Sequence, residues 1–162
     1  MRYEVATHEV PDQALLSIRA RMKTAEMPGF IGQSYAKLYG RLDGLSVTTR
    51  GMPFVIYHAF GPGVVDAEVC LPLAAVVADS GEMTSRVLPA ATVARTVHLG
   101  PYDRLGDAYG ELSEWIGDHG FVVVGVARER YLNEPGPAIT PADYLTEIDL
   151  PIAPAKVPAG VG

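Results

Sequence analysis

The chain is short of positive charge: 13 lysines and arginines stand against 19 aspartates and glutamates in 162 residues, a formal net charge of −6. Neutralising nucleic-acid phosphates needs clustered cations, so this balance argues against direct nucleic-acid binding and suits a cationic partner. Cysteine is nearly absent. Cys70 stands alone, which rules out an intrachain disulfide and leaves no CxxC pair. The four histidines, His8, His58, His98 and His119, are scattered without ligand spacing, so neither a metal site nor a cofactor is expected. Long apolar runs are also missing. The longest, "VCLPLAAVVA" at 69–78, contains Pro72 and falls well short of the roughly 20 residues that span a bilayer, so no membrane partner is expected. The opening "MRYEVATHEV" has no secretory h-region, and a cytoplasmic address is the expectation.

What is present is an internal repeat. In "FIGQSYAKLYGRL", Ile31, Tyr35, Leu38 and Leu42 share one face of a predicted helix, and in "YDRLGDAYGELSEWI" Leu105, Tyr109, Leu112 and Ile116 do the same, 74 positions later. Pro101 is placed at the first turn of the second helix with Gly100 as its cap, and Gly120 as its left-handed stop. Alternating, β-branched stretches flank each helix, and "YLTEIDLP" at 144–151 repeats "AEVCLPL" at 67–73, Glu147 standing where Glu68 stood. The two glutamates are 79 positions apart rather than 74, a surplus assigned to the loop "NEPGPAITPAD".

These patterns predict an α+β fold of two βαββ-type repeats, residues 1–80 and 81–152, in which a curved antiparallel sheet carries two main helices on one face. Residues 153–162 are expected to be a disordered tail. Alternation along the strands puts Thr146, Ile148 and Leu150 on one side with Leu145, Glu147 and Asp149 on the other; Asp66, Glu68 and Cys70 are set likewise against Ala67, Val69 and Leu71. The apolar sides suit the helices. The acidic sides face either open solvent or a cleft shared by the two repeats.

The elements "GPY" at 100–102, "L..WI..HG" at 112–120, "RERYLNEP" at 128–135 and "TEIDLPI" at 146–152, in this order and spacing, resemble the gyrase-inhibitor-like effector-binding domain of multidrug-responsive bacterial transcription activators, which also occurs free-standing. The resemblance covers residues 3–152. It implies a pair of βαββ repeats about a pseudo-twofold axis, with an aromatic ligand cleft between them and a glutamate at its base. The glutamate it points to is Glu147, with Glu129 of "RERYL" a second match; Glu68 is added by this chain's own repeat. Tyr131, Tyr57, Phe54, Tyr102 and Trp115 are the candidate walls, although Trp115 beside the helical seam suits core packing equally well.

A carboxylate in an apolar cleft resists ionisation until a positive partner arrives, and aromatic faces attract such a partner. The resemblance thus implies, and this physics fits, a hydrophobic aromatic or cationic small molecule as ligand, held by a stand-alone binding protein. The resemblance implies two alternatives. One is hydrolysis of reactive cyclopropane-containing compounds, with Glu147 as general base and Tyr131 as donor. The other is a protein partner met by an acidic surface that mimics DNA. In the activators a DNA-reading module precedes this domain; here the resemblance starts within the first few residues, so the chain is expected not to be such an activator by itself.

Overall fold

A computed structural model describes residues 3–133 and 137–156. The elements follow the order β1 (Ala6–Val10), β2 (Gln13–Lys23), α1 (Met27–Leu42), β3 (Phe54–Gly61), β4 (Val64–Pro72), β5 (Met83–Leu88), β6 (Ala91–Leu99), α2 (Leu105–Asp118), β7 (Phe121–Val123), β8 (Arg128–Tyr131) and β9 (Leu145–Pro154). The fold is mixed α+β, with nine strands and two main helices among the described residues. The pairings β1–β6, β2–β4, β2–β5, β3–β4, β3–β8, β6–β9 and β7–β9 are all antiparallel.

The chain forms two compact units. One comprises residues 11–90 and 126–130. Its strands are ordered β8-β3-β4-β2-β5, and α1 packs on β2 and β4. On β4 every residue from Val65 to Pro72 is buried, so this strand has two covered faces rather than one. Val65, Ala67, Val69 and Leu71 make the wholly apolar face, and α1 offers Leu38, 1% exposed. The opposite face holds Leu15, Phe54, Ile56 and Cys70 in a buried cluster against Leu88, with the polar residues of the same strands continuing it.

The other unit comprises residues 1–10, 91–125 and 131–162, of which those at 3–133 and 137–156 are described. β6 lies between β1 and β9, β7 adds to β9, and α2 packs on β6 and β7. Of the expected α2 seam Leu112 and Ile116 are buried, with Ala108 beside them, while Leu105 and Tyr109 are half-buried. Two edge strands cross the repeat boundary read from the sequence: β1 pairs with β6, and β5 with β2. A strand finds its place by the edge it can hydrogen-bond, and the repeat's order along the chain does not constrain the outer strands.

Three boundaries differ from expectation. Pro101 precedes a 3-10 turn at Tyr102–Arg104, and the α-helix begins only at Leu105. "VVVGVARERYL" is two strands rather than one, β7 ending at Val123 and β8 beginning at Arg128; between them Gly125 sits where an added carbon would meet the Pro151 ring at 3.0 Å. Ala153 and Pro154, assigned to the tail, end β9; Phe121 and Val122 pair with them and hold them in the sheet. Gly120, with φ +79°, stops α2 as expected. Residues 134–136 of the loop before β9 and 157–162 of the tail lie outside the described residues.

Candidate functional site

Tyr102 lies in the turn that follows β6, Tyr131 ends β8 and Tyr144 precedes β9, so three chain segments bring three tyrosines together. Tyr102 stacks on Tyr144 with ring centroids 4.8 Å apart and meets Tyr131 edge-to-face at 5.6 Å. The backbone fixes the arrangement: Gly100 N–H donates to the Tyr144 carbonyl at 2.8 Å, and Leu132 N–H to the Leu145 carbonyl at 2.9 Å. Gly100, at φ +136°, turns the chain there and leaves space above the His98 ring. Tyr102 remains 37% exposed, so the cluster presents an aromatic surface. Tyr102 and Tyr131 are expected wall residues, and Tyr144 joins them as the third.

Glu147, in the middle of β9, lies opposite Val97, while Asp149 lies opposite Arg95. Arg95 makes a two-pronged contact with Asp149 at 2.7 and 2.9 Å, and Asp149 is fully buried. Glu147 Oε1 stands 3.5 Å from the same guanidinium, a longer and weaker contact. The Arg95 guanidinium is raised above its ordinary range, first by its hydrogen bonds to Asp149 and further by the charges of Asp149 and Glu147.

Glu68 is in a different situation. Its side chain is 5% exposed, and three donors hold it: Ser17 Oγ at 2.5 Å on Oε2, His58 Nε2 at 2.8 Å and Arg86 Nη2 at 2.7 Å on Oε1. Burial would push this carboxyl up, but the hydrogen bonds from Ser17, His58 and Arg86, together with the Arg86 charge, outweigh burial and leave it below the usual carboxylate range. The rise expected of a carboxylate in an apolar cleft does not occur at Glu68, because the chain supplies the positive partner itself. Two residues away Asp66 is held low by its hydrogen bonds to Arg19, at 3.0 and 2.9 Å. Above these groups lies a polar cavity of about 420 Å3 whose lining includes Thr84 and Glu82. It is lined by strand residues and by the turn before β5.

The remaining candidates separate from these groups. Glu129 on β8 lies opposite Val55 and is 5% exposed. Phe54 is 1% exposed in the apolar cluster, with the Arg130 guanidinium 5.1 Å from its ring. Tyr57, 7% exposed, meets the exposed Phe60 edge-to-face. Trp115 stacks between His119, at 4.0 Å, and Phe121, at 6.3 Å, closing the end of α2. Sequence reasoning missed Ser17, Arg86 and Arg95. His58 reads in the sequence as one of four scattered histidines, and a β-bulge between Tyr57 and Ala59 is what brings its ring onto Glu68.

Comparison with known families bears on what this architecture does. A family model described as the GyrI-like small molecule binding domain matches residues 3–153. The chain belongs to the GyrI-like family. No curated protein matches it. Among solved structures it is similar to the EcmrR C-terminal domain, at 27% identity over 96% of this chain and 100% of that one, with a TM-score of 0.76. In the EcmrR–DNA complex it is again 27% identical but spans 58% of the EcmrR chain, with a TM-score of 0.77. A hydrolase from Listeria innocua shares the fold at 15% identity over 93% of this chain and 92% of its own, with a TM-score of 0.71. SAV2435 bound to tetraphenylphosphonium does so at 15% identity over 93% and 94%, with a TM-score of 0.60. By its family, the chain is a GyrI-like small molecule binding domain.

Proposed function

We propose that this GyrI-like domain binds lipophilic aromatic cations, as a sensor or sequestering protein. The observation that carries the reading is the cluster of Tyr102, Tyr131 and Tyr144, aromatic faces already packed against one another with Tyr102 left partly exposed. Each such face attracts a cation by about 0.5–2 kcal/mol, and flat rings select loosely for shape, which suits ligands of varied structure. Tetraphenylphosphonium, bound by the fold neighbour SAV2435, is a cation of this class.

Negative charge for the ligand comes, on this proposal, from Glu147, with Glu129 the second candidate. Glu147 has the outlying share of Arg95, so its charge is less satisfied by that contact than Asp149's. Glu129 is buried on β8. Glu68 is left out, because Arg86 and His58 already answer it.

The test is a polarisation titration with rhodamine 6G, comparing wild type with Glu147→Gln, Glu129→Gln and Tyr102→Ala. Saturable binding is expected, weakened about tenfold by loss of the acid in use, equivalent to about 1.4 kcal/mol. Tyr102→Ala should weaken it about 3-fold to 30-fold if one cation–π face is lost. No saturation, or affinities that none of the three substitutions alters, would overturn the reading. Chemical change in the recovered dye would instead favour hydrolysis.

A further inference from the structure

A line of hydrogen bonds leads from the N-terminal segment to the tyrosine cluster, and the binding proposal does not use it. Tyr3 N–H donates to Glu111 Oε2 of α2 at 3.1 Å, and the Thr96 hydroxyl of β6 donates to the Glu4 carbonyl at 2.7 Å, which ties residues 3 and 4 into the same unit as the cluster. The Tyr3 ring stacks on His98 with centroids 5.8 Å apart, and its hydroxyl stands 2.8 Å from His98 Nδ1. The other imidazole nitrogen, Nε2, lies 3.2 Å from the Pro101 carbonyl oxygen. A carbonyl can only accept, so Nε2 carries the hydrogen, and in the neutral ring Nδ1 accepts from the Tyr3 hydroxyl. His98 is 3% exposed, so these two bonds stand in for those that water would make.

The line ends on the peptide that enters Tyr102. The Pro101 carbonyl belongs to the rigid plane joining Pro101 to Tyr102, so fixing this oxygen fixes the direction in which the chain reaches Tyr102. Arg104 N–H donates to the same oxygen at 3.1 Å and closes the 3-10 turn, while Gly100 N–H holds the other flank on the Tyr144 carbonyl. At Gly100, φ is +136° and an added Cβ would stand 3.4 Å from His98 Nε2, so the imidazole reaches the turn over a glycine. Tyr3, His98 and Pro101 also border a cavity of about 290 Å3 with Leu99 and Arg104. Dense packing does not fix the turn on that side, and the hydrogen bonds do so instead.

We infer that Tyr3 and His98 are positioning residues for Tyr102, and that docking of residues 3 and 4 is coupled through the Pro101 carbonyl to ligand binding at the tyrosine cluster. The coupling rests on that cluster being the ligand site. It is reciprocal: lifting Tyr3 off His98 weakens the hold on the cation, and a bound cation tightens the segment. The N-terminal segment is thus a regulatory handle on the binding surface, made of one hydroxyl, one imidazole and one carbonyl.

The experiment combines amide hydrogen exchange with rhodamine 6G polarisation on the whole chain. Tyr3→Phe keeps the ring and removes the hydroxyl. It should speed exchange at Gly100 and Arg104 about 3-fold to 10-fold, the effect of losing one hydrogen bond, while Ile116 in the buried α2 seam changes by less than about twofold. Dye binding should weaken about 3-fold in Tyr3→Phe, yet the same substitution made in Tyr102→Ala should change nothing further, because the hydroxyl acts through Tyr102. A merely structural role would weaken both backgrounds alike. His98→Gln, whose amide can still donate to Pro101, should fall between wild type and His98→Leu in both measurements. Unchanged exchange at Gly100 and Arg104, equal acceleration at Ile116, equal weakening in the two backgrounds, or a His98→Gln variant no better than His98→Leu would each overturn the inference. Failure of wild type to bind the dye would instead overturn the ligand reading of the cluster and the coupling with it, and the exchange rates would still decide whether Tyr3 positions Tyr102.

Discussion

Replacing Glu68 by Gln removes one negative charge at nearly constant shape, in a place where three donors converge on it. The cost follows from how each donor is left. Ser17 is 2% exposed and its hydroxyl can turn to accept from the new amide, so its loss is small. His58 and Arg86 keep an oxygen to donate to, but the charge assistance is gone. Breaking a fully buried ion pair costs about 3–5 kcal/mol, but Arg86 is 36% exposed and water takes up part of the loss. A net cost of about 2 kcal/mol at pH 7 is the outcome, or a Tm lower by about 4–8 °C for a domain of this size.

The pH dependence gives this prediction its sign. The folded carboxyl of Glu68 titrates below its unfolded value. Its contribution is therefore fully present above the unfolded pKa of about 4.3 and is lost as the pH falls through the folded value. Wild type should lose stability on acidification over that window, and Glu68→Gln should lose less, so the gap between them narrows toward pH 3. Urea denaturation followed by circular dichroism at pH 7, 5 and 3.5 measures the gap. A carboxyl pushed up by an apolar cleft would behave oppositely, and its replacement by Gln would stabilise the fold at neutral pH. A variant as stable as wild type at pH 7, or a deficit as large at pH 3.5 as at pH 7, refutes the internal neutralisation of Glu68.

Two further substitutions probe the unit that contains β9. Arg95→Gln removes the two-pronged partner of the fully buried Asp149, and a loss of about 3 kcal/mol is expected in urea denaturation; a loss below about 1 kcal/mol would mean that Asp149 draws its stabilisation elsewhere. Gly125→Ala places a carbon 3.0 Å from the Pro151 ring, so about 1–3 kcal/mol should be lost through strain between the β7–β8 link and β9, and an unchanged Tm would show that the link moves aside freely.

The helices and most strands were legible in the sequence, because apolar spacing reports which side of an element is covered. Leu38, Leu112 and Ile116 are buried as their periodicity implies. Periodicity does not report which edge a strand joins, and so the exchange of β1 and β5 across the repeat boundary was not visible. Nor does it count the layers. Glu68 and Cys70 alternate with apolar neighbours as they would on a wet face, but Leu15, Phe54, Ile56 and Leu88 cover the Cys70 end of that face as well.

The repeated glutamate shows why the site was harder to read than the fold. Matching "AEVCLPL" to "YLTEIDLP" aligns Glu68 with Glu147, yet pairing is decided across strands, not along them. Glu68 stands opposite Arg19, and the residue opposite Arg95 is Asp149. Each unit thus carries a two-pronged Arg–Asp contact across its strand pair, Arg19 to Asp66 and Arg95 to Asp149, reached from different registers. That contact occupies one of the two acids on each face and leaves the other to its neighbours. In the first unit the bulge in β3 adds a histidine and β5 an arginine, and Glu68 becomes the fixed centre of a polar cavity. In the second unit the cross-strand neighbour is Val97, and Arg95 gives Glu147 its edge while facing Asp149. One acid has become a support for other groups and its repeat partner, on the binding proposal, serves the ligand, a divergence set by residues far away in sequence from either glutamate.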